Sequence, residues 1–201
     1  MRSYRGAVLA ILALGCLLRG AGTVAQEPEQ YSEDAIKAVF LYRFTSFVDW
    51  PAEPVPAAQF NIAVMNADGV ADALRHLLPD HLIKNKPAQV RSIQHLRDLG
   101  DARILYLGAG SAADLAAIVA ATAGHPVLVV SDMDRGLERG STINFILVDR
   151  HVRFEVSLPA ASRAGLKISS ELLSVATRVM SGDNTDYDHG RDTRVVAAGA
   201  H

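Results

Sequence analysis

Arg103-Ile-Leu-Tyr-Leu-Gly-Ala-Gly-Ser111, followed by an Ala-rich run to Ala121 and then by Pro126-Val-Leu-Val-Val130, contains a strand, a glycine turn, a helix and a second strand in succession. Ile104 to Leu107 is apolar and ends at Gly108-Ala-Gly110, where the chain must turn. Ser111 with Asp114 three residues later predicts a capping-box start for the helix. Val127 to Val130 is apolar on consecutive positions, which predicts a strand buried on both faces. A strand, helix, strand order of this kind belongs to a sheet with helices packed on it.

Upstream, Phe60-Asn-Ile-Ala-Val-Met65 predicts another strand, and Asp68 is placed to cap a helix carrying Val70, Ala73, Leu74, Leu77 and Leu78 up to Pro79. Gln89 to Ile93 predicts a short strand. Further back, Ser32 precedes Glu33 and Asp34, a capping residue with two acids at the positive end of a helix dipole. Ile36, Val39, Phe40, Phe44, Phe47 and Val48 recur at helical spacing as one apolar face, and Pro51 stops that helix around Val48 or Asp49. Downstream, Thr142 to Val148 and Val152 to Leu158 read as two strands joined through Asp149-Arg150-His151. In the second, Val152, Phe154, Val156 and Leu158 alternate with Arg153, Glu155 and Ser157, as in a hairpin with one wet face. Ser169 caps a last helix with Leu172, Leu173, Ala176, Val179 and Met180 on one side, stopped by Gly182. The expectation is a single three-layer α/β domain over 32–181: a mixed β-sheet flanked by helices, with a C-terminal β-hairpin and helix. No internal repeat is visible, and residues 182–201 are polar, without periodicity, and read as a disordered tail.

The first residues read as an export signal. Arg2 and Arg5 precede an apolar run from Ala7 to Leu18, and Thr23-Val-Ala25 offers a signal-peptidase site, so residues 1–25 are expected to be removed. The run falls short of the ~20 residues that span a bilayer. Ala13-Leu-Gly-Cys16 is a loose lipobox, and lipidation at Cys16 is the alternative, less favoured than a soluble exported product. Cys16 is the only cysteine, so cleavage after Ala25 leaves no thiol for a disulfide. Loss of Arg2, Arg5 and Arg19 with the leader moves the formal charge from −2 to −5. A mildly acidic surface without a Lys/Arg cluster excludes nucleic acid as the expected partner and disfavours docking on anionic lipid.

No catalytic constellation emerges. Gly108-Ala-Gly-Ser111 lies at a strand-to-helix turn, where backbone N–H groups can hold a phosphate or carboxylate. It lacks the rest of a P-loop or dinucleotide fingerprint, and a purely structural turn explains it as well. Asp132, in Ser131-Asp-Met-Asp134, follows a buried strand, the place where carboxylates of open α/β sheets face a ligand crevice. A phosphoacceptor site would need more acid after the first strand than Asp68. Ser169-Ser170 sits in no nucleophile elbow and is explained by capping. The seven histidines show no metal-ligating spacing, so neither a metal nor another cofactor is expected. Phe40, Phe44 and Phe47 read as core, whereas Trp50, just past a helix end, is a candidate partner contact. Trp50, Gly108, Gly110, Ser111 and Asp132 are therefore the candidate partner- or ligand-binding residues.

Val48-Asp-Trp-Pro51, Ile143-Asn-Phe145, Arg153-Phe-Glu155 and Leu166-Lys-Ile-Ser-Ser-Glu-Leu-Leu173, in this order and spacing, resemble the YfiR-like family from about Ala35 to Met180. The resemblance implies a periplasmic, non-enzymatic α/β protein. By the same resemblance it is a repressor that binds the periplasmic sensory domain of an inner-membrane diguanylate cyclase, lowering cyclic di-GMP and biofilm formation; at least one member of the family forms a homodimer, which makes that a candidate assembly here. The family's best-known member relies on disulfides, which this chain without Cys16 lacks. A small-molecule binding protein for sensing or transport, using the crevice at Gly108 to Ser111 and Asp132, is the alternative; a hydrolase would have only Ser169 and Ser170 to use.

Overall fold

Residues 31–52, 57–182 and 187–188 are described by a computed structural model, all within the unit Tyr31–His201. The expected leader lies outside the described residues, as does most of the expected tail. In chain order the elements are α1 (Glu33–Phe47), β1 (Val48–Asp49), β2 (Phe60–Met65), α2 (Asp68–Leu77), β3 (Leu82–Ile83), β4 (Lys86–Ile93) and β5 (Ile104–Leu107). There follow α3 (Leu115–Thr122), β6 (Leu128–Ser131), β7 (Ile143–Val148), β8 (His151–Ser157) and α4 (Leu158–Arg163). Last come β9 (Lys167–Ile168), α5 (Ser170–Ser174), β10 (Arg178–Met180) and β11 (Tyr187–Asp188).

Among the described residues the main sheet has nine strands in the order β11-β10-β8-β7-β6-β5-β2-β4-β3. From β4 to β7 every pairing is parallel, and in chain order these strands run 2-1-3-4-5, a doubly wound arrangement. β8 then returns antiparallel to β7 through Asp149 and Arg150, both left-handed with φ of 49° and 63°. That two-residue turn matches the twist of the strands it joins. β10 runs parallel to β8, so the sheet is mixed. Within the segment expected to be disordered, Tyr187–Asp188 pairs with β10.

Strand alternation divides the core in two. Phe60, Ile62, Val64, Ile104, Tyr106, Leu128 and Val130 face α1, α2 and α5, while Ala63, Met65, Leu105, Leu107 and Val129 face α3. This is the three-layer architecture expected. Over β7 and β8, Phe40, Phe44, Phe145 and Phe154 form a ring cluster with centroids from 5.1 to 6.0 Å apart. Such contacts add about 0.5–1.5 kcal/mol per pair beyond area burial.

Four local expectations are corrected. The side of α1 pressed into the core carries Ala38, Leu41, Phe44 and Thr45, whereas Val39 is 47% exposed. The helix is apolar nearly all round, so periodicity alone does not choose its inner side; α2 and the sheet do. Asp68 is the first helical residue of α2, and the N-cap position is Ala67. The helix expected from Ser111 is a 3₁₀ turn over Ala109–Asp114 that becomes α3 only at Leu115, and Ser111 caps nothing. Finally, the last helix stops at Ser174. Ser169 does cap it, its hydroxyl accepting from Leu172 N–H at 3.4 Å. Beyond it, Thr177-Arg-Val-Met180 favours extended chain, β-branched residues suiting a pleated surface, and Val179 enters the core from a strand.

Candidate functional site

The candidate residues fall at opposite ends of the central strands. Trp50 lies where the strands begin: its ring packs edge-on against Phe60, the first residue of β2, at 5.4 Å between centroids. Its indole N–H donates to Arg103 O at 3.3 Å. With Lys84, Lys86 and Arg103 it lines a concavity of about 350 Å³. Asp49 sits at the same rim, 3.4 Å from Lys84 Nζ. The result is a half-buried aromatic anchor with a predominantly basic surround.

Gly108, Gly110, Ser111 and Asp132 lie at the other end, where β2, β5 and β6 finish and the strand order reverses between β2 and β5. Ligands of open α/β sheets bind at such a place. Gly108 is required by close approach: an added Cβ would overlap the carbonyl oxygen of Asn66, which itself takes a left-handed φ of 54°. Asn66 Nδ2 donates to Ser111 Oγ at 2.8 Å. Gly108 N–H goes to Met65 O at 2.9 Å and Ser111 N–H to Gly108 O at 2.8 Å. Two of the donors that would cradle an anion are therefore used within the turn.

Asp132 is held by residues that spacing did not reveal. Lys37, buried on the inner side of α1, places Nζ 2.6 Å from Asp132 Oδ2 and 2.6 Å from Glu33 Oε1. Tyr106 donates its hydroxyl to the same Oδ2 at 2.8 Å. Burial alone would lower the Lys37 pKa, but the hydrogen bonds to Asp132 and Glu33 outweigh it and hold the ammonium above its ordinary value. Burial, reinforced by the Asp132 charge, pushes the Tyr106 phenol far above its usual range, so it stays a donor. Asp132 Oδ1 is buried and has no partner among the described residues. Beside it, Glu33, Asp134, Phe145 and Ile146 line a cavity of about 400 Å³.

The loop carrying Asp132 is fixed from below and from the side. Ser141 donates to Ser131 Oγ at 2.7 Å, and Ser131 donates to Asn144 Oδ1 at 2.7 Å. The same Oδ1 accepts Met133 N–H at 3.1 Å. All three side chains are buried, and Gly136 leaves the room that Asn144 and Ser131 occupy. From β10, Arg178 reaches Glu155 at 2.9 Å and Glu138 at 2.8 Å. The hydrogen bonds to Glu155 first, then to Glu138, keep Arg178 firmly protonated against its partial burial. Burial acts to raise Glu138, yet its backbone hydrogen bond and Arg178 keep it below the usual carboxylate value.

Among the described residues no group of three His, Cys, Asp or Glu could hold a metal ion, and no helix is long and apolar enough to cross a membrane. Ser169 is used in capping and Ser111 in the Asn66 contact. Spacing carries no signal for Lys37 or Tyr106 as polar partners, because each stands in an apolar stretch. Asn144 and Glu155 stand in Ile143-Asn-Phe145 and Arg153-Phe-Glu155, and a polar residue within a strand-like run is the signal the sequence carries for each.

A family model described as YfiR/HmsC-like matches residues 34–177. Among solved structures, a conserved domain protein from Vibrio cholerae O1 biovar El Tor superposes with a TM-score of 0.48 at 11% identity. That match covers 75% of this chain and 60% of the Vibrio chain.

Proposed function

Because the chain belongs to the YfiR/HmsC-like family, we propose that it is an exported regulator that holds an inner-membrane diguanylate cyclase inactive by occupying the periplasmic domain of that enzyme. The observation that carries this reading is the match over residues 34–177, most of the described domain. It is supported by the engagement of candidate reactive groups: Ser111, Ser169 and Asp132 each serve contacts that hold the fold. Action by contact suits a surface whose polar groups are tied down.

The face around Trp50 is the proposed contact. Trp and Arg dominate binding hot spots because they bury large area from a fixed geometry, and here Trp50 is already oriented by Phe60 and Arg103. A repressor must prefer the inactive state of its target, since equal affinity for both states shifts nothing. A homodimer that presents this face twice is part of the same proposal. Deleting the gene should raise cyclic di-GMP, and the protein used as bait on detergent-solubilised membranes should retain a cyclase. An unchanged cyclic di-GMP level in the deletion strain would sink the reading.

One observation favours a second reading, a small-molecule binding protein. The unpartnered Asp132 Oδ1 beside the 400 Å³ cavity offers an acceptor to a ligand donor. Tight binding of a metabolite by the pure protein, lost in Asp132→Asn, would promote it.

A further inference from the structure

The face of α1 marked by its periodic apolar residues is not closed over. Ile36, Phe40 and Phe47 are half-buried and Val39 is 47% exposed. With Leu77 of α2 and Val175 beyond α5, which is 67% exposed, they wall a cavity of about 980 Å³. Its floor reaches the core at Ala38, Phe44, Phe154 and Leu172, each no more than 4% exposed. Arg43, His76 and Tyr31 are the ionisable side chains of the lining, and no carboxylate joins them. The Arg43 guanidinium is exposed and makes no ion pair among the described residues. His76 turns Nδ1 to Asp72 O at 2.7 Å, leaving its other ring nitrogen for the rim.

We propose that this groove is a binding site for one free long-chain carboxylate, a fatty-acid monomer, with its chain along Ile36, Phe40 and Phe47 and its head at Arg43. The proposal is independent of the regulatory reading. Three features select this occupant. The volume lies at the upper end of small-molecule sites, roughly 300–1,000 Å³. The lining suits an alkyl chain, because the surface left open along Ile36, Val39, Phe40, Phe47 and Leu77 is apolar and continuous with the covered core at Phe44 and Phe154. The charge is one-sided: a cationic rim without an acid attracts an anionic head and repels an ammonium.

The test is calorimetric titration of the delipidated protein with dodecanoate below its micelle threshold. One saturable site per chain is expected. Each buried methylene should strengthen binding about fourfold, so octanoate should bind weaker by about two orders of magnitude. Arg43→Glu should weaken dodecanoate at least about tenfold, the loss of a charge-assisted hydrogen bond, while Arg43→Lys retains most of the affinity. Ala73→Trp, filling the groove from α2, should abolish binding; Arg43 is exposed, so its variants should keep the wild-type melting curve and report on the head contact alone. Dodecanol binding as tightly as dodecanoate would overturn the assignment. So would binding to phosphatidylglycerol vesicles without binding of the monomer, or a dimer broken by Val39→Asp in a protein that takes up no dodecanoate.

Discussion

Lys37 and Asp132 stand 95 positions apart in the chain and 2.6 Å apart in the fold. Their contact joins the first helix to the end of a central strand, with Tyr106 completing the set from the neighbouring strand. Removing Lys37 would strand a largely buried carboxylate. Breaking a fully buried pair costs about 3–5 kcal/mol. Asp132 is 19% exposed and retains Tyr106, so Lys37→Met is expected to cost about 2–3 kcal/mol in urea unfolding. Lys37→Met combined with Asp132→Leu should recover part of it.

The pH dependence of that pair has a definite sign. Lys37 is raised in the folded protein above 10.5, so its contribution is complete below that value and disappears as pH rises through the folded pKa. The stability difference between wild type and Lys37→Met should therefore be flat through neutrality and shrink only in strong alkali. A difference that collapsed near neutral pH would contradict the geometry.

Glu138 titrates the other way. Its folded pKa lies below 4.5, so its contribution is present above that value and lost as pH falls through the folded one. In Glu138→Gln the fall of stability with pH below about 4.5 should be shallower than in wild type. Arg178→Ala should speed amide exchange across Met133 to Gly140, because the loop loses its tie to β10.

Two glycines separate close approach from backbone strain. At Gly108 an added methyl group meets the Asn66 backbone, and Gly108→Ala should cost about 1–3 kcal/mol or displace the turn. At Gly165, with φ of +67° and open space around it, alanine should cost only the left-handed conformation, about 1–2 kcal/mol. Thermal melts of both variants, with an amide spectrum of the Gly108 turn, distinguish the two causes.

Trp50→Ala should raise cyclic di-GMP toward the level of the deletion strain. Because the ring also packs on Phe60, melting must be followed in parallel, and Trp50→Phe should keep most of the packing while losing the indole bond to Arg103. A Trp50→Ala protein of normal stability that still represses fully would remove this face from the proposal.

The strands were legible wherever apolar residues ran together or alternated, as in β2, β5, β6 and the β7–β8 hairpin, because burial leaves that mark on composition. The end of the last helix is not legible, because Leu172, Ala176 and Val179 suit a helical face and are all buried, although Val179 arrives from a strand. Leu172→Ala should accordingly cost about 2–5 kcal/mol, and substitutions at the half-buried Leu173 less. Asp132 was legible from its place after a buried strand. Lys37 was not, since a lysine on an apolar helix reads as solvated until the distant carboxylate that neutralises it is known. Local chemistry permits Ser111 to cap a helix, but the contact from Asn66, 45 positions away, takes its hydroxyl instead.

β1 and β9 pair Val48 with Ile168 and Asp49 with Lys167, and Ser169 N–H reaches Phe47 O at 2.9 Å. The end of the first helix is thus sewn to the start of the last. A ribosome must synthesise almost the whole domain before that seam can close, and until then the fragment lacks the strand that caps its opening helix. Closing so distant a contact is slow, because chain entropy is lost before packing compensates. The opening helix therefore waits, with its C-terminal edge unpaired, for the chain around Lys167 to Ser169 to be made, and the two extremes of the domain are completed together.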